Sequence, residues 1–136
     1  MQSHTDCKTF ADQLIIDMPH LVRDCFVYEY DGESVLHITR TNAGFNCCPD
    51  SLTVTAAVTQ STITVEEIEW VSDPCDCLCL YDMEFDIANV PPGLVRLRFI
   101  EPYLAPGAPV LQATIDLINH PSGSFCADRG FYPWGE

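Results

Sequence analysis

From residue 21 onward the dominant hydrophobic period is two, the signature of strands with one buried and one wet face. Leu21 to Tyr30 is rich in β-branched and aromatic residues, and Glu33 to Thr41 follows it. Between them stands Asp31-Gly32, a dipeptide suited to a two-residue type I′ turn, whose central residues both take positive φ. This predicts a hairpin. Asn42-Ala43-Gly44 breaks the pattern, and Cys47-Cys48-Pro49 leads into Leu52, Val54, Ala56 and Val58 alternating with Thr53, Thr55, Ala57 and Thr59. After Gln60-Ser61, Ile63 and Val65 hold one parity while Ile68 and Trp70 hold the other, which predicts a β-bulge near Glu66-Glu67.

Asp73-Pro74 ends that strand. Further on, Tyr81, Met83, Phe85 and Ile87 alternate with Asp82, Glu84 and Asp86, and beyond Asn89 to Gly93 the residues Val95, Leu97 and Phe99 alternate with Arg96 and Arg98. Folded about Pro91 as a hairpin, these segments set Asp86 across from Arg96 and Glu84 across from Arg98. A last strand runs from Val110 to Leu117. About seven strands at about 10-residue spacing, with no long helical pattern, predict an all-β, immunoglobulin-like antiparallel β-sandwich. The expected organisation is a single domain, with an N-terminal arm over 1–20, the sandwich over 21–118 and an aromatic C-terminal tail over 119–136 that covers an open edge or end.

Composition narrows the function. Hydrophobic residues make up 47% of the 136-residue chain, too many for disorder, and no run approaches the roughly 18 apolar residues of a membrane span. Six Lys+Arg against 20 Asp+Glu leave a formal charge of −14, which repels phosphate backbones and excludes nucleic acid as a partner. A protein or a small ligand stays open. The opening MQSHTDCKTFADQ lacks the basic and apolar regions of a secretory signal, so the chain reads as cytoplasmic as it stands, or exported if a leader has been trimmed.

The candidate chemistry lies in eight cysteines, at 7, 25, 47, 48, 75, 77, 79 and 126. In an extended segment Cys75, Cys77 and Cys79 point to one side with neighbouring Cα atoms about 6.6 Å apart, too widely spaced for all three to hold one ion. Cys47-Cys48, flanked by Gly44 and Pro49, supplies the missing donors from a turn. The leading expectation is a structural zinc site formed by Cys47 and Cys48 with two of Cys75, Cys77 and Cys79, with Cys126 or a histidine as a substitute ligand. The competing readings are disulfides between the same two motifs in an exported module, and a thiol-based redox or soft-metal handling protein. Cys25 alternates with Val27 and reads as a buried structural thiol, and His37 as a hydrogen-bonded sheet residue. No Ser-His-Asp, H-E-x-x-H, phosphate-loop or EF-hand pattern is present, so the expected module is non-enzymatic.

The combination Gly44-Phe-Asn-Cys-Cys-Pro49, Cys75-Asp-Cys-Leu-Cys-Leu-Tyr-Asp82 and Asn89-Val-Pro-Pro-Gly93 resembles small uncharacterised bacterial β-sandwich proteins. These pair a Cys-Cys motif with a C-x-C-x-C-x-[YF]-D motif. The resemblance spans about residues 24 to 101. It implies a sandwich with a joint cysteine site, and its exported members imply a trimmed leader.

Overall fold

A computed structural model describes residues 2–7, 23–104 and 106–128. Among the described residues the fold is all-β, with nine strands: β1 (Gln2–His4), β2 (Arg23–Tyr30), β3 (Leu36–Asn46), β4 (Ser51–Thr59), β5 (Thr62–Trp70), β6 (Leu78–Ile87), β7 (Leu94–Ile100), β8 (Gln112–Asp116) and β9 (Ser122–Asp128). They form one sheet in the order β1-β6-β3-β2-β9 and a second in the order β4-β5-β7-β8. Every pairing is antiparallel except β5 with β7. The inner faces meet through Phe26, Ile38, Met83 and Phe85 on one side and Val54, Val65, Leu97 and Phe99 on the other, all in one buried cluster. Phe26 and Phe99 pack across the gap as tilted rings with centroids 5.1 Å apart.

Nine strands replace the expected seven because both chain ends contribute. β1 lies in the expected arm and pairs with β6, while β9 lies in the expected tail and covers the free edge of β2. Residues 8–20 of the expected arm and 129–136 of the expected tail fall outside the described residues.

Three local expectations are corrected. The β2–β3 hairpin forms, but Tyr30 pairs with Leu36 and residues 31–35 make a wider loop. Asp31 Oδ1 accepts the backbone N–H groups of Glu33, Ser34 and Val35 at 2.8, 2.9 and 3.0 Å, and Gly32 takes φ +86°. The side chain of Asp31 thus replaces the tight turn with an Asx-centred one.

The bulge expected near Glu66-Glu67 is absent. Thr55 pairs with Glu66 and Val54 with Glu67 in unbroken register. The inner parity simply continues Ile63, Val65, Glu67, with Glu67 only 3% exposed, so a carboxylate occupies a core position that the hydrophobic pattern assigned to solvent. The register shift lies in β3 instead, between Arg40 and Ala43, where Asn42 has φ 63°.

β6 and β7 do not form a hairpin. β6 pairs with β3 and β1, whereas β7 pairs with β5 and β8, so Asp86–Arg96 and Glu84–Arg98 are not cross-strand partners. The link between them crosses from one sheet to the other, with Asn89 at φ 62° and Gly93 at φ 112°. Val90 is its anchor: it is fully buried, its N–H donates to Ser34 O at 2.8 Å, and its carbonyl accepts from Tyr30 Oη at 2.7 Å. A hairpin and a crossover present the same alternation, so pattern alone does not separate them.

Between the sheets sits an ionic cluster. Arg40 of β3 is fully buried and faces three carboxylates: Glu67 of β5 at 2.6 Å, Glu101 beyond β7 at 2.9 Å, and Asp24 of β2. Its guanidinium also donates to the carbonyls of Cys25 and Thr41 at 3.1 and 3.0 Å and lies 5.1 Å from the Phe99 ring centroid. Burial works against its charge, but the three carboxylates outweigh burial and raise its pKa. Glu101 is pushed up to about 9, first by burial and next by a hydrogen bond with Asp24, against the opposing pull of Arg40. At neutral pH it keeps its proton, which reduces the excess of negative charge around a single cation.

This carboxyl makes stability pH-dependent. The folded chain holds a proton that an unfolded glutamate releases near pH 4.5, so Glu101 stabilises the fold at low pH and that contribution is lost as pH rises towards about 9. Glu101→Gln keeps a neutral hydrogen-bonding group and removes the titration. Thermal midpoints measured from about pH 5 to about pH 9 fall more steeply for the wild type than for the variant, and parallel slopes would contradict the assignment.

Candidate functional site

Two connections pass from one sheet to the other at the same end of the sandwich: 47–50, between β3 and β4, and 71–77, between β5 and β6. They run side by side because β3 pairs with β6 in one sheet and β4 with β5 in the other. The last rung of the β3–β6 ladder is Asn46 with Leu78, and one further bond, Cys47 N–H to Cys77 O at 3.2 Å, continues it into the connections. Here Cys47 is bonded to Cys77 and Cys48 to Cys75, each with Cα atoms 5.6 Å apart. The two motifs that the sequence placed together do converge.

Cys79 is the exception within the motif. Strand β6 begins at Leu78, so Cys75 and Cys77 lie in an exposed loop while Cys79 faces the core, where it is 7% exposed. It is bonded to Cys7, with Cα atoms 5.4 Å apart, which fastens the segment after β1 to β6. Cys25 is likewise not a buried thiol. The inner parity of β2 carries Asp24, Phe26, Tyr28 and Tyr30, so Cys25 and Val27 take the outer face, where Cys25 bonds its register partner Cys126 on β9. That bond also removes Cys126 as a substitute ligand. All eight cysteines are paired.

Asn46 organises the doubly bonded end, a role with no signature in the cysteine spacing. Its side chain is buried and meets both motifs: Oδ1 accepts Cys48 N–H at 2.9 Å and Cys75 N–H at 3.2 Å, while Nδ2 donates to Cys75 O at 2.9 Å. Its backbone N–H donates to Glu69 Oε1 at 2.8 Å, and its carbonyl accepts from Tyr81 Oη at 3.0 Å. Tyr103 Oη donates to the other oxygen of Glu69, and the Tyr103 phenol is pushed up to about 12 by burial and by that bond. A chain of hydrogen bonds from Tyr103 through Glu69 to Asn46 therefore holds the backbone at which the cysteines pair.

The same atoms have a second chemistry. The Sγ atoms of Cys47, Cys48 and Cys75 lie within 4.8 Å of one another, close to the about 4 Å separation of thiolates around a tetrahedral Zn²⁺. Cys77 is bonded to Cys47 but lies outside this group of three, and Cys79 is bonded to Cys7. Thiolates ligate and disulfides do not, so this group could hold a metal only with its bonds reduced.

On the outer face of the five-stranded sheet, Glu84 and Asp86 flank His37. Nδ1 is 2.6 Å from Asp86 and Nε2 is 3.3 Å from Glu84. The hydrogen bond to Asp86 raises the imidazole pKa against a smaller desolvation effect. This is the hydrogen-bonded sheet histidine expected, and it takes the place beside Asp86 and Glu84 that Arg96 and Arg98 were expected to hold. Two shallow grooves of about 390 and 270 Å³ meet at Thr39 on this face.

Asn46→Ala leaves the amides of Cys48 and Cys75 without their acceptor. It is expected to cost about 1–3 kcal/mol in denaturant unfolding. It should also yield mispaired Cys47–Cys75 or Cys48–Cys77 species on oxidative refolding, read from non-reduced peptide maps. Full stability with native pairing would contradict an organising role. No protein-family model matches the chain, and no curated protein or solved structure matches it either, so the chemistry of the site rests on its own geometry.

Proposed function

We propose that the protein is an exported, disulfide-stapled β-sandwich of immunoglobulin-like type, a non-enzymatic module that binds a protein or a small ligand. The observation that carries this reading is the pairing of all eight cysteines with none left over, which is the pattern of an oxidising compartment. Its distribution adds support. One bond fastens the N-terminal segment, one the C-terminal strand, and two the neighbouring crossovers, so each joins parts that would otherwise fray or splay. The family resemblance, with its exported members, points the same way. No helix among the described residues is long and apolar enough to cross a membrane.

Protein prepared without reductant should have no titratable thiols and should gain about 2 Da for each bond reduced. Reduction should lower the unfolding free energy by about 2–4 kcal/mol for each bond, with the largest entropic effect from Cys25–Cys126, which closes a separation of 101 residues. Eight free thiols in protein recovered from an oxidising compartment would remove this reading.

A second reading is favoured by the convergence of the Cys47, Cys48 and Cys75 sulfurs. In the reduced chain these residues, with Cys77, hold zinc as a structural metal, and a soft-metal or thiol redox role would use the same atoms. Titrated anaerobically with Zn²⁺, the reduced protein should bind one equivalent, release protons and gain in melting temperature, and Cys75→Ser should lose the effect while Cys7→Ser keeps it. A reduced protein that ignores zinc would confine the site to its disulfide role.

A further inference from the structure

The strand β4 forms one border of the four-stranded sheet and pairs on one side only, with β5. Its outward side is identified by Gln2, whose side-chain Oε1 accepts Val54 N–H at 3.3 Å while Nε2 donates to Val54 O at 2.9 Å. A primary amide thus occupies the place of a neighbouring strand's peptide group. By the two-residue period, the N–H and C=O groups of Ala56 and Val58 point the same way as those of Val54. Among the described residues no second strand lies beside them.

Natural edge strands carry charges, proline or bulges that discourage pairing. β4 reads SLTVTAAVT, with no charge, proline or glycine, in a chain of formal charge −14. Its far half is also open, since Thr55, Ala56, Ala57 and Thr59 are exposed. By contrast β8 and β9, the other long border strands, each carry an aspartate. A second β4 brings no charged side chain to the seam itself.

We propose that β4 is a self-association edge, joining two copies of this chain in an antiparallel, two-fold-symmetric seam centred on Ala57. In that register Ala56 of one protomer faces Val58 of its partner, and each such pairing exchanges both of its N–H···O bonds. Ala57 meets Ala57 and Thr55 meets Thr59, so only small uncharged side chains oppose one another. Val54 falls opposite Gln60, beyond the strand, so the seam ends where Gln2 begins in both copies. The result is one continuous eight-stranded sheet built from two four-stranded ones. A seam this short is weak, and the acidic chains repel each other at long range, so association strengthens with salt.

Sedimentation velocity of the full chain, from about 10 μM to about 1 mM and from about 0.01 M to about 1 M salt, reads the monomer–dimer equilibrium. The wild type should dimerise, more tightly at high salt. Ala56→Pro removes an outward N–H that the fold itself does not use, a position where an edge strand tolerates proline, and should weaken dimerisation about tenfold or more with the monomer's melting temperature nearly unchanged. Should that variant fail to fold, Ala57→Lys decides. It sets two lysines directly opposite each other at the axis and lowers the overall negative charge, so weaker association there comes from the seam and not from long-range repulsion. A wild type that stays monomeric throughout, or a dimer that survives either substitution in a folded variant, overturns the proposal.

Discussion

The guanidinium of Arg40 is the constraint around which the two sheets are arranged. A buried cation needs every donor satisfied, and the partners that satisfy it come from β2, β3, β5 and the segment after β7. The two sheets therefore share an electrostatic tie as well as an apolar one. Apolar side chains tolerate sliding of one sheet over the other, whereas a three-carboxylate socket for one arginine accepts a single register. The retained proton on Glu101 belongs to the same logic, because a lone cation does not balance three buried anions.

Around that centre the covalent bonds hold the periphery. The apolar core is continuous, but β1 is three residues long, β9 lies at a sheet border, and the crossovers at 47–50 and 71–77 have no ladder of their own. β1 and β9 each pair along one side only, and cysteine pairs tie β9, the segment after β1 and the two crossovers to the body of the fold. The pair of disulfides between the crossovers is held in turn by Asn46, the last residue of β3, whose amide meets both connections.

Much of the fold was legible from period alone. Alternation located the buried faces of β4, β6 and β7, though it set Cys25 and Val27 on the wrong side of β2, and the Cys-Cys and C-x-C segments were recognisable as two donors to one place, because a single strand spaces its thiols too widely to share a ligand. What escaped was anything that depended on a long-range partner. Glu67 looked like surface until Arg40 made it a core residue, and the supposed bulge was only a pattern interrupted by that ion pair. Cys79 looked equivalent to Cys75 and Cys77 until the start of β6 turned it inward towards Cys7.

The sequence by itself determined the class of fold, the seven strand-forming segments between residues 21 and 118 and the meeting of two cysteine motifs, since these follow from side-chain parity and from the reach of an extended chain. Tertiary structure alone decided sheet membership, the route from β6 to β7, the partner of each cysteine and the existence of the Arg40 socket. The physical reason is the same in each case: alternation specifies which face of a strand is buried, but not which neighbour buries it.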